Sequence, residues 1–170
     1  MEYVVLVNEK DEEVGTMEKL EAHEKGVLHR AFSVFLFNSK GEMLLQQRAS
    51  SKYHSPNLWT NTCCSHPRPN ESIKNAANRR LNEEMGMSCD LKRAFHFTYN
   101  VKLDQGLTEH ELDHVFLGIT DSKPIINREE VRAYQYLPIK QIQQQMAEEP
   151  DQFTEWFKIC FKEVLKHYES

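Results

Sequence analysis

The stretch from Asn61 to Gly86 limits the fold of this chain most, because it joins an extended segment to an amphipathic helix. Apolar residues recur at intervals of four along its second half: Ile73, Ala77 and Leu81. This spacing predicts a helix over Glu71–Met85, with Asn70 as its N-cap and Gly86 just after its end. A strand end that carries cysteine and histidine therefore adjoins a helix that carries arginines and acids.

The rest of the chain mixes predicted strands and helices. Branched and aromatic residues predict strands at Tyr3–Val7, Arg30–Phe37, Glu42–Arg48, Cys89–Val101, Thr108–Thr120 and Ala133–Leu137, and an extended segment at Leu58–Ser65. Ile139–Met146 and Asp151–Tyr168 are predicted helices. Asn38–Gly41 and Leu103–Leu107 predict hairpin connections. We expect an α/β fold, an α+β-like mixed sheet flanked by helices, in a single domain over residues 1–170.

The composition excludes several classes of protein. The chain has 26 acidic and 21 basic residues and a formal net charge of −5, which disfavours nonspecific binding to nucleic acid. No apolar run approaches the roughly 20 residues that a membrane span needs, and the N-terminus lacks the basic region of a signal peptide. The four cysteines form no C-x-x-C pair, so a zinc knuckle is unsupported. We expect a cytoplasmic monomer with reduced thiols.

Two strand segments carry polar residues on one face. Residues i and i+2 of an extended chain point the same way, so Cys64 and His66 share a face, and Cys63 points to the other. By the same rule Glu109 and Glu111 share a face, opposite His110. Two neighbouring carboxylates repel each other unless a cation lies between them. A metal site is one interpretation; a solvated strand face beside a buried cysteine is the alternative.

Two further histidines offer ligands. His23 and His29 flank a short predicted loop, and loop histidines are more often ordinary surface residues. Joined with His66, Glu109 and Glu111, they form a set that suits zinc, manganese or iron better than calcium.

The predicted helix also carries an arginine and a carboxylate on one face, Arg80 and Glu84 at i, i+4. A surface ion pair worth about 0.3–0.5 kcal/mol is the simplest reading. The functional reading is an arginine that binds phosphate beside a carboxylate that binds its magnesium. Further basic residues are candidates for phosphate contacts, although each alone is commonly a solvated charge: Lys19, Arg48 and Lys52.

The helix residues form a longer motif that resembles the Nudix box, G-x5-E-x7-R-E-U-x-E-E-x-G-U. The matching residues are Glu71, Arg79, Leu81, Glu83, Glu84, Gly86 and Met87. Ser65 replaces the first glycine, and Arg80 replaces the glutamate that follows the box arginine. In Nudix hydrolases that glutamate helps to bind the metals that activate water, so Arg80 argues against ordinary hydrolysis.

These departures, with other motifs, resemble the type 1 isopentenyl-diphosphate isomerases over nearly the whole chain. The shared segments are Glu18–Leu20, RAFSVFLFN (Arg30–Asn38), QRASSKYHSPNLWTNTCCSHP (Gln47–Pro67), NRRLNEEMG (Asn78–Gly86) and EHELDHVF (Glu109–Phe116), together with His23 and His29. The patterns W-T-N-T-x-C-S-H-P and E-x-E-x-D are specific. The resemblance implies a Nudix fold with additional N- and C-terminal elements.

The resemblance also implies roles for individual residues. The catalytic residues are Cys64, Glu111 and Tyr99, and the metal ligands are His23, His29, His66, Glu109 and Glu111. The metal held by these histidines and glutamates is Mn²⁺, Zn²⁺ or Mg²⁺. The resemblance places a second metal, a diphosphate-bound Mg²⁺, near Glu84 and the Cys64 carbonyl. The diphosphate-binding residues are Lys19, Arg48, Lys52 and Arg80. Trp156 resembles a tryptophan that lines the pocket, although Glu155 stands where many members have proline.

The implied reaction moves the double bond of isopentenyl diphosphate to give dimethylallyl diphosphate. An unactivated alkene is protonated, and a proton is removed from the neighbouring carbon, with a tertiary carbocation between the two steps. Two alternatives stay open: a Nudix pyrophosphohydrolase with an altered box, and a non-catalytic module that binds metal or diphosphate. Each implies a small-molecule ligand rather than a nucleic acid or a membrane.

Overall fold

A computed structural model describes residues 1–170 and centres on one nine-stranded sheet. The strands are β1 (Tyr3–Val7), β2 (Glu13–Glu18), β3 (His29–Phe37), β4 (Glu42–Arg48), β5 (Trp59–Thr60), β6 (Cys63–Ser65), β7 (Lys92–Lys102), β8 (Thr108–Ile119) and β9 (Val131–Pro138). The helices are α1 (Lys19–Lys25), α2 (Ile73–Met85), α3 (Ile139–Glu148) and α4 (Glu155–Glu169). No helix combines the length and the apolar character that crossing a bilayer requires.

The sheet is mixed, as the sequence predicts. Strand β3 lies at its centre, antiparallel to β1 and β6 and parallel to β8. Strand β8 in turn pairs with β7, and β4 pairs with β5 and β9. The predicted turn at Asn38–Gly41 is confirmed, but the hairpin pairs only at Phe37 and Met43. Beyond that point the strands separate, because β3 continues along β8 and β6 whereas β4 continues along β9.

Alternation along β3 divides the core between two helices. Val34 and Leu36 pack in one cluster with Leu81 of α2, while Phe35 packs in a second cluster with Phe157 of α4. The sheet therefore lies between α2 and α4. Each phenylalanine that is fully buried in this way stabilises the fold by about 1.5–3 kcal/mol, so both helices are fixed firmly against the strands that they cover.

Helix α2 ends as predicted but begins later. Its N-cap is Ser72, whose side chain accepts a hydrogen bond from the Asn75 backbone, and not Asn70, which has a left-handed φ of 67° within the preceding turn. Gly86 ends the helix with a φ of 63°. A Cβ atom there would lie 2.5 Å from the Ile125 carbonyl oxygen, so this position requires glycine.

Several other boundaries differ from the predictions: β7 begins at Lys92 rather than Cys89, and three further regions differ more in kind. The segment before His29 contains β2 and the seven-residue helix α1, so His23 lies on a helix and not in a loop. The predicted extended segment over Leu58–Ser65 contains two short strands, β5 and β6. The last helix begins at Glu155, after a 3₁₀ turn at Pro150–Gln152. Short elements of this kind contain too few residues to show a hydrophobic period.

One ion pair of the box anchors the turn before α2. The Arg79 guanidinium donates to both carboxylate oxygens of Glu71, at 2.8 and 2.9 Å. We expect Glu71→Gln to lower the free energy of unfolding by about 1 kcal/mol at neutral pH, because the pair is partly exposed. Hydrogen bonding from Arg79 lowers the pKa of Glu71.

The stabilisation by Glu71 is therefore complete above its unfolded pKa of about 4.3 and disappears as the pH falls through the lower folded pKa. Urea denaturation of the native protein and the variant, from neutral pH down to about pH 3, measures the difference between them. A difference that stays constant over that range would contradict this assignment.

Candidate active site

A cavity of about 240 Å³ opens where β6, β7 and β8 meet α2 and α4. Most of the predicted site residues line it: Lys19, Arg48, Lys52, Cys64, His66, Arg80, Glu84, Tyr99, Glu109, Glu111 and Trp156. His23 and His29 are fully buried behind its wall, and both direct a ring nitrogen towards Glu111. The fold thus brings every predicted site residue to one place.

Three histidines converge on one carboxylate. The Glu111 Oε2 atom lies 3.1 Å from Nε2 of His29, 2.9 Å from Nε2 of His66 and 3.8 Å from Nε2 of His23. The ligand atoms of these four residues all lie within 4.8 Å of one another. Nitrogen and carboxylate ligands at such spacing fit a divalent transition metal.

The backbone orients two of these imidazoles. Nδ1 of His23 lies 2.7 Å from the Lys19 carbonyl oxygen, and Nδ1 of His29 lies 2.9 Å from that of Val27. A proton on each Nδ1 leaves the Nε2 lone pair for a ligand contact. Nε2 of His23 is buried without a hydrogen-bond partner, which costs free energy unless a cation binds there. The donor set therefore fits a metal ion.

Burial favours the neutral form of the third histidine, His66, which is the form that binds a metal. It lowers the pKa of His66 to about 4, so the imidazole is neutral near pH 7. For His29, burial is the largest effect and opposes protonation, but the hydrogen bond to Glu111 and the negative charge of Glu111 together outweigh it and raise the pKa.

Glu109 lies near a fourth histidine that the sequence interpretation does not single out. The Glu109 Oε1 atom is 3.7 Å from Nε2 of this histidine, His54, and 4.0 Å from Nε2 of His23. Burial and the neighbouring Arg48 lower the pKa of His54 to about 2. His54 lies in the irregular segment after β4, where no strand or helix period indicates the direction of a side chain.

Cys64 faces the cavity and Cys63 faces the core, as alternation predicts. Cys63 is fully buried in the cluster beneath α2, while Cys64 lines the cavity beside His66. Strand β6 fixes this choice, because Cys64 pairs with Ser33 of β3 and Cys63 with Val34. Burial raises the pKa of the Cys64 thiol, so it carries a proton at neutral pH.

Tyr99 contacts the carboxylate at the centre of the site. It pairs with Glu111 across β7 and β8, and its hydroxyl donates to Glu111 Oε1 at 2.8 Å. Although burial raises the pKa of Glu111, the three histidines lower it well below its ordinary value. Burial and the charge of Glu111 raise the pKa of Glu109. Tyr99 and Glu111 therefore form a phenol–carboxylate pair within reach of a bound ligand.

Of the two tryptophans, Trp156 is the one that lines the cavity. Its indole nitrogen donates to the Asn61 side chain at 3.2 Å, and the Arg48 guanidinium carbon lies 5.3 Å from the ring centroid. Trp59 instead packs against the cluster beneath α4. The glutamate that precedes Trp156 does not prevent it from reaching the site.

Arg80 and Glu84 form an interior ion pair and not a surface one. Nη2 of Arg80 donates to Oε2 of Glu84 at 2.7 Å, and the two side chains are 16% and 5% exposed. Glu84 also accepts from the Gln46 amide at 2.9 Å. Three further cations line the same cavity: Lys19, Arg48 and Lys52. Together with Arg80 they offer donors for an anion beside a buried carboxylate.

The fold and the helix that carries the box define a NUDIX protein. The model of the NUDIX domain family matches residues 27–157. A crystal structure of DR0079 from Deinococcus radiodurans has a TM-score of 0.78 at 20% identity, over 95% of this chain and 98% of that one. The MutT protein from Methanosarcina mazei has a TM-score of 0.69 at 18% identity, over 84% and 96% of the two chains. These structural similarities show that the two proteins and this chain share one fold.

Relatives with higher sequence identity show to which group of NUDIX proteins the chain belongs. The isopentenyl-diphosphate Delta-isomerase from Pectobacterium atrosepticum is 53% identical over 167 residues, which cover 98% of this chain and 93% of that protein. The one from Aliivibrio fischeri is 49% identical over 177 residues, with coverage of 99% and 98%. The chain therefore belongs to the isopentenyl-diphosphate Delta-isomerase family of NUDIX proteins, which confirms the resemblance that its motifs indicate.

Proposed function

We propose that this chain interconverts isopentenyl diphosphate and dimethylallyl diphosphate in the cavity that Cys64, Tyr99, Glu111 and Arg80 line. One observation carries the proposal: a protonated thiol and a phenol–carboxylate pair line the same cavity as four cations, Lys19, Arg48, Lys52 and Arg80. Hydrolysis needs a water-activating site, whereas isomerisation needs proton carriers beside an apolar reacting group.

The reacting carbons require one group that gives a proton and another that takes one. We assign these roles to Cys64 and Glu111, with Tyr99 donating its hydrogen bond to Glu111. Protonation of the alkene CH₂ forms a methyl group and a tertiary carbocation, and loss of a proton from the neighbouring carbon forms the new double bond. The reaction is reversible, so each of the two groups acts as acid in one direction and as base in the other.

Trp156 protects the cationic intermediate. An indole face stabilises positive charge electrostatically and offers no lone pair that would react with the cation. Its near-complete burial, at 2% exposure, also helps to exclude water, which would otherwise capture the carbocation.

Two divalent ions are part of the proposal. His23, His29, His66, Glu109 and Glu111 would hold Mn²⁺, Zn²⁺ or Mg²⁺, and Glu84 with the Cys64 carbonyl would hold Mg²⁺ together with the diphosphate. When bound, these ions supply positive charge that tunes nearby acidity and neutralises phosphate oxygens. The residues Lys19, Arg48, Lys52 and Arg80 orient the diphosphate so that the alkene lies near Cys64.

We propose that residues 1–170 work as one domain and as a monomer. Helix α1 contributes His23, helix α4 contributes Trp156, and the strands between them contribute Cys64 and Glu111. Elements from both ends of the chain thus complete one cavity.

A product assay tests the function. We expect the protein to convert isopentenyl diphosphate, in the presence of Mg²⁺ and Mn²⁺, to an acid-labile allylic product without release of phosphate. Release of phosphate or pyrophosphate without that product would instead identify a hydrolase. Binding of the diphosphate with neither product would identify a non-catalytic module.

Adjacent arginines on α2 offer a matched test of the proposed diphosphate contacts. Arg80→Gln should raise the KM for isopentenyl diphosphate by at least about tenfold, since a lost charge-assisted hydrogen bond is worth about 1.5–3 kcal/mol. Arg79→Gln removes the same charge one residue away but breaks only the pairs with Glu71 and Glu83. Steady-state kinetics of the two variants compare them, and an equal rise in KM would contradict a specific role for Arg80.

A further inference from the structure

Two carboxylates outside the predicted site lie on the cations assigned to the diphosphate. Oε1 of Glu130 is 3.3 Å from the Lys52 ammonium, and its Oε2 atom contacts the Arg80 guanidinium directly. Likewise, Oε2 of Glu2 is 2.8 Å from the Lys19 ammonium. These carboxylate oxygens already accept from the Lys and Arg N–H donors that phosphate oxygens would need.

The backbone holds Glu130 in this place independently of its ion pairs. The preceding loop is joined to the end of α2, because the Asn127 amide donates to the Glu84 carbonyl at 2.9 Å. The Glu130 carbonyl accepts from the Ala49 amide at 3.2 Å. Burial raises the pKa of Glu130, but Lys52 and Arg80 outweigh it and hold the pKa below its ordinary value. The carboxylate is therefore charged and preorganised near pH 7.

The cavity lining consequently has no excess of positive charge. It includes the cations Lys19, Arg48, Lys52 and Arg80, and among its carboxylates are Glu2, Glu84, Glu129 and Glu130. A bare diphosphate must displace two of these carboxylates and then lie beside them, where like charges repel. A diphosphate that arrives with a divalent cation brings the positive charge that compensates them.

We infer that Glu130, assisted by Glu2, is a specificity determinant that makes this site select a metal-complexed diphosphate over the bare anion. The inference rests on the proposed function, because it takes Lys52 and Arg80 as diphosphate ligands. Glu130 acts as an intramolecular counter-ion, and its competition with the substrate is relieved only when a divalent cation accompanies the phosphates.

Calorimetric titration with inorganic pyrophosphate tests this inference without catalysis. Metal-stripped protein is titrated with and without added Mg²⁺, and the ratio of the two Kd values is compared among variants. Glu130→Gln should tighten binding of bare pyrophosphate and reduce that ratio by about tenfold, which corresponds to about 1.4 kcal/mol. The matched control is Glu129→Gln, which removes the same charge from a neighbouring cavity residue that forms no ion pair. Its ratio should stay within about twofold of the native value.

Equal ratios for the Glu130→Gln variant and the native protein, or an equal effect of Glu129→Gln, would overturn the inference. Glu2→Gln provides a second measurement that folding does not compromise, because that side chain is 64% exposed; it should reduce the ratio in the same direction. The inference and the proposed function can fail separately. Absence of the allylic product refutes the function, whereas the pyrophosphate ratio decides the counter-ion role.

Discussion

Replacing Cys64 with alanine is expected to lower the turnover of isopentenyl diphosphate by about 10³-fold while the protein stays folded. The thiol is the only proton carrier assigned to its side of the substrate, and general acid–base catalysis by one group contributes about 10²–10⁴-fold. Burial raises the pKa of this thiol, so it donates as a thiol without prior activation. Turnover under saturating substrate, with circular dichroism as the check on folding, measures the effect.

Cys63→Ala is the matched control, because it removes a thiol from the adjacent residue on the other face of β6. Cys63 is fully buried in the core and does not line the cavity, so its loss should reduce stability and leave turnover of the folded protein nearly unchanged. Near-native turnover in Cys64→Ala, or a comparable loss in Cys63→Ala, would refute the role of Cys64.

Glu111→Gln is expected to remove both activity and metal affinity. The carboxylate accepts the Tyr99 hydroxyl and lies at the centre of three histidines, so the amide loses the proton-carrying group together with an anionic ligand. Turnover should fall by about 10³-fold, and Mn²⁺ should bind at least about tenfold more weakly. Kinetics and an equilibrium titration with Mn²⁺, followed by electron paramagnetic resonance, measure the two effects separately.

Glu24→Gln controls for the loss of one negative charge near the site. Glu24 follows the proposed ligand His23 on α1 but is exposed to solvent. Its replacement should change neither turnover nor Mn²⁺ affinity. If Glu111→Gln retained native Mn²⁺ affinity, the proposed ligand set would be wrong even if its activity were lost.

Side-chain direction within strands can be predicted from this sequence, because it is a local property of extended backbone. Alternation separates Cys64 from Cys63 and places Glu109 with Glu111, and the structure confirms both arrangements. The box spacing likewise locates α2 and its final glycine. These predictions succeed because each depends on residues only a few positions apart.

Contacts that depend on the path of the chain cannot be predicted in the same way. Helix α1 is too short to show a hydrophobic period, and His54 lies in an irregular loop where alternation has no meaning. The ion pairs of Glu2 and Glu130 join residues far apart in sequence. They exist because the strands, including the parallel pair β3 and β8, gather distant segments around one cavity.

In the proposed reaction this cavity adds a proton to one carbon of an alkene and removes a proton from another. The most direct test is to follow isopentenyl diphosphate in D₂O by nuclear magnetic resonance, with the native protein, Mg²⁺ and Mn²⁺. The proposed mechanism predicts dimethylallyl diphosphate with deuterium in the methyl group formed from the alkene CH₂, and an intact diphosphate. Dimethylallyl diphosphate that forms without deuterium even after prolonged reversible turnover, or release of phosphate in its place, would contradict it.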